Sequence, residues 1–99
     1  LSLICQNYYC RFGEIDLIML DQDTLVFIEV RYRKNSDFGG ALASITKRKQ
    51  GKIVKTAKYY LAQLENEPYC RFDAIAIDQY SAVPEWIQNA FLEEDGHKL

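Results

Sequence analysis

The order of the apolar segments is the feature that most restricts how this chain can fold. Three strand-like segments follow one another closely at residues 3–9, 13–20 and 24–31, and one long helical pattern follows at about 47–64. A fourth strand is predicted over residues 70–78. Closely spaced strands predict an antiparallel meander, and a helix between two strands predicts a parallel crossover. We therefore expect an α/β fold with a mixed sheet and a β-β-β-α-β core.

The elements at the two ends of this core are less fully specified. Thr46 is the predicted N-cap of the long helix, and the apolar spacing after Pro84 predicts a short helix that contains Trp86 and Phe91. The sheet has two faces to cover, and one long and one short helix are too few for both. Because the chain begins with Leu1 directly in a strand-like run, we expect an N-terminal helix to be missing from it.

Length and composition indicate one domain and exclude several classes of protein. The 99 residues are 48% hydrophobic and 26% charged, which predicts a single domain over residues 1–92 and a frayed tail over residues 93–99. The apolar runs are too short for a transmembrane helix, so no membrane association is expected. Three cysteines are too few for a disulfide framework, which indicates a reducing, cytoplasmic compartment.

Charge is distributed unevenly along the chain. Residues 31–58 contain nine Lys or Arg residues and one acidic residue, although the whole chain has a net charge of −2. Such a basic centre indicates an anionic partner. A solvated face of the long helix is the alternative interpretation, and charge alone does not decide between the two.

Acidic side chains gather at the open end of the hairpin predicted from the second and third strands. A turn of two residues, 22 and 23, would set Asp16 opposite Glu29. The same register sets Glu14 opposite Arg31, and a register shifted by two residues keeps the carboxylates together. Strict alternation of side chains places these residues on one face of the sheet and Ile15 on the other.

Such a group of carboxylates is stabilised by a cation that compensates its negative charge. Carboxylates held together repel one another and raise each other's pKa. Mg²⁺ is bound by one or two carboxylates together with waters and phosphate oxygens, and a metal held in this way can activate water and stabilise charge on a phosphate. The alternative is an exposed sheet end with ordinary salt bridges, such as one from Glu14 to Arg31.

Several strings of the sequence are typical of one family. They are R-F-G-E-I-D-L-I at 11–18, L-V-F-I-E-V-R-Y-R at 25–33, F-G-G-A at 38–41, S-I-T at 44–46 and K-Q at 49–50. Over residues 7–92 the chain closely resembles the YraN-like family, small bacterial proteins regarded as endonucleases. That family is similar to the PD-(D/E)XK nucleases near the Holliday-junction resolvases. The resemblance implies a restriction-endonuclease-like mixed sheet flanked by helices.

The resemblance also implies roles for individual residues. Asp16 and Glu29 match the two acidic metal ligands, which implies Mg²⁺ or Mn²⁺ as the cofactor. Arg31 stands where these nucleases usually have a catalytic lysine, and Glu14 and Gln50 match assisting and supporting residues. Because arginine keeps its proton, the implied role of Arg31 is to orient water or stabilise the transition state.

The function implied by the resemblance is metal-dependent hydrolysis of DNA, including branched or otherwise structured DNA. A homodimer is expected, because junction resolvases pair two sites. The alternatives are a nucleic-acid-binding module that keeps the nuclease fold without turnover and a protein-interaction domain with an incidental basic helix. The residues expected to hold phosphates are basic and surround the start of the long helix: Arg33, Lys34, Arg48, Lys52 and Lys55.

Overall fold

A five-stranded mixed sheet with one helix packed on it forms the fold in the computed structural model, which describes residues 1–33, 45–78 and 83–91. The strands are β1 (Ser2–Cys10), β2 (Gly13–Asp21), β3 (Thr24–Arg33), β4 (Tyr69–Asp78) and β5 (Glu85–Phe91), and the helix is α1 (Lys47–Leu61). The sheet order is β1-β2-β3-β4-β5, with β3 and β4 parallel and the other neighbours antiparallel. The predicted α/β class, the meander and the parallel crossover through the helix are confirmed.

The turn between β2 and β3 has the two residues that the sequence predicted. Asp21 pairs with Thr24, and the register continues to Leu17 opposite Ile28. Gln22 has a φ of 58°, the left-handed backbone that tight hairpin turns of this length require at their first central position. This register brings Asp16 and Glu29, the next residues along the two strands, to the same end of the hairpin.

Helix α1 begins where the sequence predicted and lies on the sheet through one apolar stripe. The Oγ1 of Thr46 accepts a hydrogen bond from the Lys49 amide at 3.2 Å, which confirms Thr46 as the N-cap. The helix ends at Leu61, three residues before the predicted limit, and Leu64 is exposed. Ile53 and Ala57 are buried in the main core against the sheet. No helix in the described part of the chain is long and apolar enough to cross a membrane.

Gly13 allows α1 to come very close to the beginning of β2. Its φ is +150°, and a Cβ placed there would lie 3.4 Å from the Oγ1 of Thr56 and 3.9 Å from the Cβ of Lys52. Larger residues rarely adopt this backbone conformation, so a glycine fits both the conformation and the contact. The close approach sets the first turns of α1 beside the end of β2 that carries Glu14 and Asp16.

Side-chain alternation in β2 is interrupted before it reaches the acidic end. Ile15 is buried in the same cluster as Ile18 and Phe27, so the prediction that it faces the opposite side of the sheet is wrong. The backbone pairing of β2 with β3 ends at Leu17. Beyond that point a side chain replaces the backbone partner, because the Val30 amide donates a hydrogen bond to Asp16.

The segment after Pro84 is a strand, so the short helix predicted there is wrong. Residues Glu85–Phe91 pair antiparallel with β4. Asp73, on β4, is fully buried and accepts hydrogen bonds from Arg71, from the Trp86 indole at 2.8 Å and from the Asn89 amide at 3.0 Å. Satisfying this buried carboxylate requires an extended segment beside it. Residues 93–99, predicted to be a frayed tail, lie outside the described residues.

Candidate active site

The structure brings Asp16, Glu29 and Arg31 together at the end of the β2–β3 hairpin. Asp16 Oδ2 accepts a hydrogen bond from the Val30 amide at 2.8 Å, which fixes its carboxylate against β3. Glu29 Oε2 accepts a hydrogen bond from Arg31 Nη2 at 2.9 Å. The carboxyl group of Asp16 also acts on that of Glu29 and raises its pKa. The sequence predicted this juxtaposition.

Glu29 holds its proton more strongly than an ordinary glutamate. Burial raises the pKa of Glu29 to about 7, and the hydrogen bond to Asp16 and the charge of Asp16 act in the same direction. Arg31 and Lys49 lower the pKa of Glu29, but they offset only part of this rise. Glu29 therefore holds its proton up to about neutral pH, and a bound cation would favour its ionised form.

The two carboxyl groups suit a divalent cation that takes few of its ligands from the protein. The Val30 amide and the Arg31 guanidinium each engage one carboxylate oxygen, and these two bonds leave the second oxygen of each group for a cation. Within the described residues, no group of three or more His, Cys, Asp or Glu side chains is arranged to hold a metal ion. Two carboxylates with waters are what Mg²⁺ usually takes from a protein, so Asp16 and Glu29 fit such an ion.

The ion pair with Glu29 satisfies only part of the hydrogen-bonding capacity of the Arg31 side chain. Its side chain is 22% exposed, and its Nε is buried without a hydrogen-bond partner among the described residues. A buried donor without a partner costs free energy. The guanidinium of Arg31 can therefore donate a further hydrogen bond through its Nε, in addition to its ion pair with Glu29.

Glu14 and Gln50 lie apart from this pair in their contacts. Glu14 is exposed and forms no hydrogen bond or ion pair in the part of the chain that the structure describes. The side-chain Nε2 of Gln50 donates to the Ile45 carbonyl at 3.1 Å, and its amide donates to the Thr46 carbonyl at 2.9 Å. Gln50 therefore fastens the beginning of α1 and does not contact the carboxyl groups.

The predicted phosphate-binding residues lie partly within the described residues. Arg48, Lys52 and Lys55 are exposed on α1, as predicted. Arg33 is the last residue of β3, but its side chain and the whole of Lys34 lie outside what the structure describes. Helix α1 thus carries exposed cations, and among the cations of α1 it is the charge of Lys49 that acts on Glu29.

The charge of Lys49 acts on Glu29, although the sequence assigned Lys49 no role beyond its place in the K-Q string. It is the one cation of α1 whose charge acts on Glu29 in the described part of the chain. The signal was present in the spacing, because Lys49 precedes the buried residues Ile53 and Thr56 by four and seven positions. A lysine in register with an apolar stripe lies on the sheet-facing side of its helix.

The chain matches known proteins over most of its length. The family model described as "Uncharacterised protein family UPF0102" matches residues 1–77. A UPF0102 protein of Psychromonas ingrahamii is 78% identical over 93 residues, which cover 94% of this chain and 76% of the relative. Relatives of the same name in Nitrosomonas eutropha and Legionella pneumophila are 58% and 50% identical, with 94% and 92% of this chain and 79% of each relative covered. The chain therefore belongs to the UPF0102 family of YraN-like proteins, as its sequence strings indicated.

Proposed function

We propose that this protein is a Mg²⁺- or Mn²⁺-dependent endonuclease that hydrolyses phosphodiester bonds of DNA, with branched or otherwise structured DNA as its substrate. The observation that carries the proposal is that the Val30 amide and Arg31 hold the carboxylates of Asp16 and Glu29 at one end of the β2–β3 hairpin, in a chain whose helix α1 carries exposed cations. A divalent cation complements the acidic pair, and a phosphate complements the exposed cations.

In this proposal each group has one task. Asp16 and Glu29 hold the metal ion, which supplies an activated water and stabilises charge on the phosphate when it is bound. Arg31 orients Glu29 through the 2.9 Å ion pair and directs its remaining donors towards the site. Arg48, Lys52 and Lys55 bind phosphates along the DNA, with Arg33 and Lys34 as further candidates, and this contribution weakens as salt is added. The restriction-endonuclease-like assignment of the fold, the homodimer and the assisting role of Glu14 belong to the same proposal.

The second candidate function is DNA binding without turnover. The observation in its favour is Arg31, because arginine does not act as a base and here its guanidinium occupies an oxygen of Glu29. A protein of this kind would keep the basic helix and bind DNA without a divalent cation.

The test is a cleavage assay with labelled branched, single-stranded and linear duplex DNA in Mg²⁺, Mn²⁺ or EDTA. Asp16→Asn and Glu29→Gln keep the shape of each side chain and remove the charge, so each should abolish metal-dependent cleavage. Both variants should retain DNA affinity in EDTA, because the basic residues of α1 are unchanged.

Glu67→Gln is the matched control for these variants. Glu67 is exposed, and it precedes β4, whose first residue pairs with Thr24 at the far end of β3 from Glu29. This variant should cleave like the wild type. Cleavage that survives in Glu29→Gln would assign the activity to a contaminant, whereas binding without cleavage in every divalent ion would favour the binding module.

A further inference from the structure

Asn7 has a backbone conformation that residues of a regular strand do not adopt. It lies within β1, the strand at one edge of the sheet, and its φ is 51°, in the left-handed region. Few residues other than glycine enter this region readily, and asparagine is one of them. A residue of this kind inside a strand interrupts the regular ladder. The place of the interruption in the sheet therefore shows what it does.

Asn7 lies directly opposite Asp16 in the pairing of β1 with β2. From Cys5 to Cys10, Asn7 is the residue of β1 without a Cα partner on β2 in the described register. The pairs on either side of it keep the same register: Gln6 with Leu17 and Tyr8 with Ile15. The two strands therefore leave the regular ladder together for one step and then resume it.

Both strands change the facing of their side chains at this step. The side chains that pack in or against the core under α1 are three positions apart on each strand: Cys5 and Tyr8 on β1, and Ile15 and Ile18 on β2. Regular alternation separates residues of one face by an even number of positions. Each strand thus contains one extra residue at the same level, at the step that Asn7 and Asp16 occupy.

The matched interruption gives the Asp16 side chain its unusual direction. A side chain of a regular strand stands above or below the sheet. The carboxylate of Asp16 instead reaches sideways to β3, where its Oδ2 accepts a hydrogen bond from the Val30 amide at 2.8 Å. Because β1 keeps its pairing on both sides of the step, the conformation of Asn7 supports β2 where Asp16 turns towards β3.

The opposite edge of the sheet contains a second arrangement of this kind. Asn89 of β5 has a φ of 52°, and the register of β4 with β5 shifts between Phe72 and Ala74, the two neighbours of Asp73. The carboxylate of Asp73 accepts a hydrogen bond from the Asn89 amide at 3.0 Å. In both places a left-handed asparagine on an edge strand accompanies an aspartate that accepts a backbone amide of a neighbouring strand. Asp73 is fully buried, whereas Asp16 is only half-buried and can also reach a ligand.

We propose, on the basis of the metal site in the function proposed above, that Asn7 is a positioning residue for this site. Its left-handed backbone holds Asp16 so that one carboxylate oxygen stays on the Val30 amide and the other is presented, with Glu29, to the divalent cation. Asn7 acts through its backbone conformation and takes no part in the chemistry. A residue that resists this conformation should therefore weaken metal binding, and glycine should not.

The experiment measures Mn²⁺ binding without DNA by electron paramagnetic resonance of the free ion, for the wild type, Asn7→Gly and Asn7→Ala. Both variants remove the amide side chain, but only glycine adopts the left-handed conformation without strain. Asn7→Ala should raise the Kd for Mn²⁺ by about tenfold or more, and Asn7→Gly should stay within about threefold of the wild type, because residues that orient metal ligands contribute about 10- to 100-fold to affinity. The Mn²⁺ concentration for half-maximal DNA cleavage should rise in Asn7→Ala by the same factor as the Kd.

Asn89→Ala is the matched control, because it makes the same change at the left-handed residue of the other edge strand. Urea unfolding in EDTA gives the folded fraction of each variant. Asn89→Ala should lower the urea midpoint and leave the Kd for Mn²⁺ unchanged, which separates positioning from a general loss of stability. A Kd that rises as much in Asn89→Ala as in Asn7→Ala would overturn the positioning role.

Two further outcomes separate this inference from the nuclease proposal. Equal Mn²⁺ affinity in Asn7→Ala and Asn7→Gly, whether unchanged or weakened in both, would overturn the positioning role and leave the nuclease proposal intact. The expected order of affinities in a protein that cleaves no DNA would support the role of Asn7 and overturn the nuclease proposal. A wild type that binds no Mn²⁺ would overturn both.

Discussion

The raised pKa of Glu29 predicts that this protein becomes less stable as the pH rises from about 4.5 to about 7. The folded state holds the Glu29 proton up to a pKa of about 7, whereas the ordinary value of 4.5 applies to the unfolded chain. Between these values the folded state binds more protons than the unfolded state, so the free energy of unfolding falls with increasing pH. One pKa unit corresponds to about 1.4 kcal/mol, and the separation predicts a loss of about 3 kcal/mol.

The assay is urea unfolding of the wild type and of Glu29→Gln, followed by circular dichroism at several pH values from about 4.5 to about 8. Glutamine does not titrate, so the difference in unfolding free energy between the two proteins isolates the contribution of Glu29. The replacement of the carboxyl group by an amide adds an offset to this difference, whereas the ion pair with Arg31 belongs to the pH-dependent part, because it forms only when Glu29 is ionised. We expect the variant to gain about 3 kcal/mol relative to the wild type across this interval.

Addition of Mg²⁺ at about pH 8 should act in the opposite direction. A ligand that binds only the folded state stabilises it by about 1.4 kcal/mol when its concentration is ten times its dissociation constant. The wild type should gain this stability, and Glu29→Gln should not. Stability curves of the two proteins that stay parallel over the whole pH range would refute the reasoning, because Glu29 would then titrate like an ordinary glutamate.

Three further predictions concern other parts of the fold. Asp73→Ala should lower the free energy of unfolding by about 3–5 kcal/mol in a urea titration, because it leaves the half-buried Arg71 without a buried partner. The control is Asp23→Ala, at an exposed turn residue, which should have little effect. Gly13→Ala should cost about 1–3 kcal/mol, since φ is +150° at this position; an unchanged urea midpoint would contradict this strain. Lys52→Ala should weaken DNA binding and reduce the slope of log affinity against log salt by about 1 in fluorescence anisotropy titrations, and an unchanged slope would mean that Lys52 contacts no phosphate.

The hairpin could be predicted from sequence because its information is local. A two-residue turn determines the register of both strands, so residue numbers predicted that Asp16 and Glu29 lie at the same end of the hairpin, although the backbone pairing ends one residue earlier, at Leu17 and Ile28. The burial of Ile15 with Ile18 could not be predicted in this way. It breaks side-chain alternation in the part of β2 where the backbone pairing with β3 has ended and the Val30 amide donates to the Asp16 side chain.

The last strand was missed for a different reason. In a segment of seven residues, Ile87, Ala90 and Phe91 satisfy helical spacing as well as they fit a strand. The choice is made by β4, where the buried carboxylate of Asp73 requires the Trp86 indole and the Asn89 amide as donors. A requirement that comes from a contact between two strands cannot be recognised in the hydrophobic periodicity of one segment.

Among the candidate site residues, side chains on strands were easier to place than those on the helix. Asp16 and Glu29 directly follow the last paired residues of the hairpin, Leu17 and Ile28. Family resemblance gave Gln50 a supporting role at the site, but its side-chain amide donates to the Ile45 carbonyl. Lys49 was assigned no role beyond its place in the K-Q string, although it lies in helical register with the buried Ile53.

Asp73 and Glu29 are both carboxylates of low exposure, but their surroundings differ. The difference illustrates why a bound ligand explains the presence of a glutamate at position 29 better than a contribution to stability does. Asp73 is fully buried and receives hydrogen bonds from Arg71, Trp86 and Asn89, as expected of a carboxylate that holds strands together. Glu29 is 14% exposed, and its nearest partners include another carboxyl group. A glutamine in its place would avoid that repulsion and still accept a hydrogen bond from Arg31. Local arrangements that oppose stability are concentrated at functional sites, and a divalent cation between Asp16 and Glu29 would turn the repulsion into binding energy.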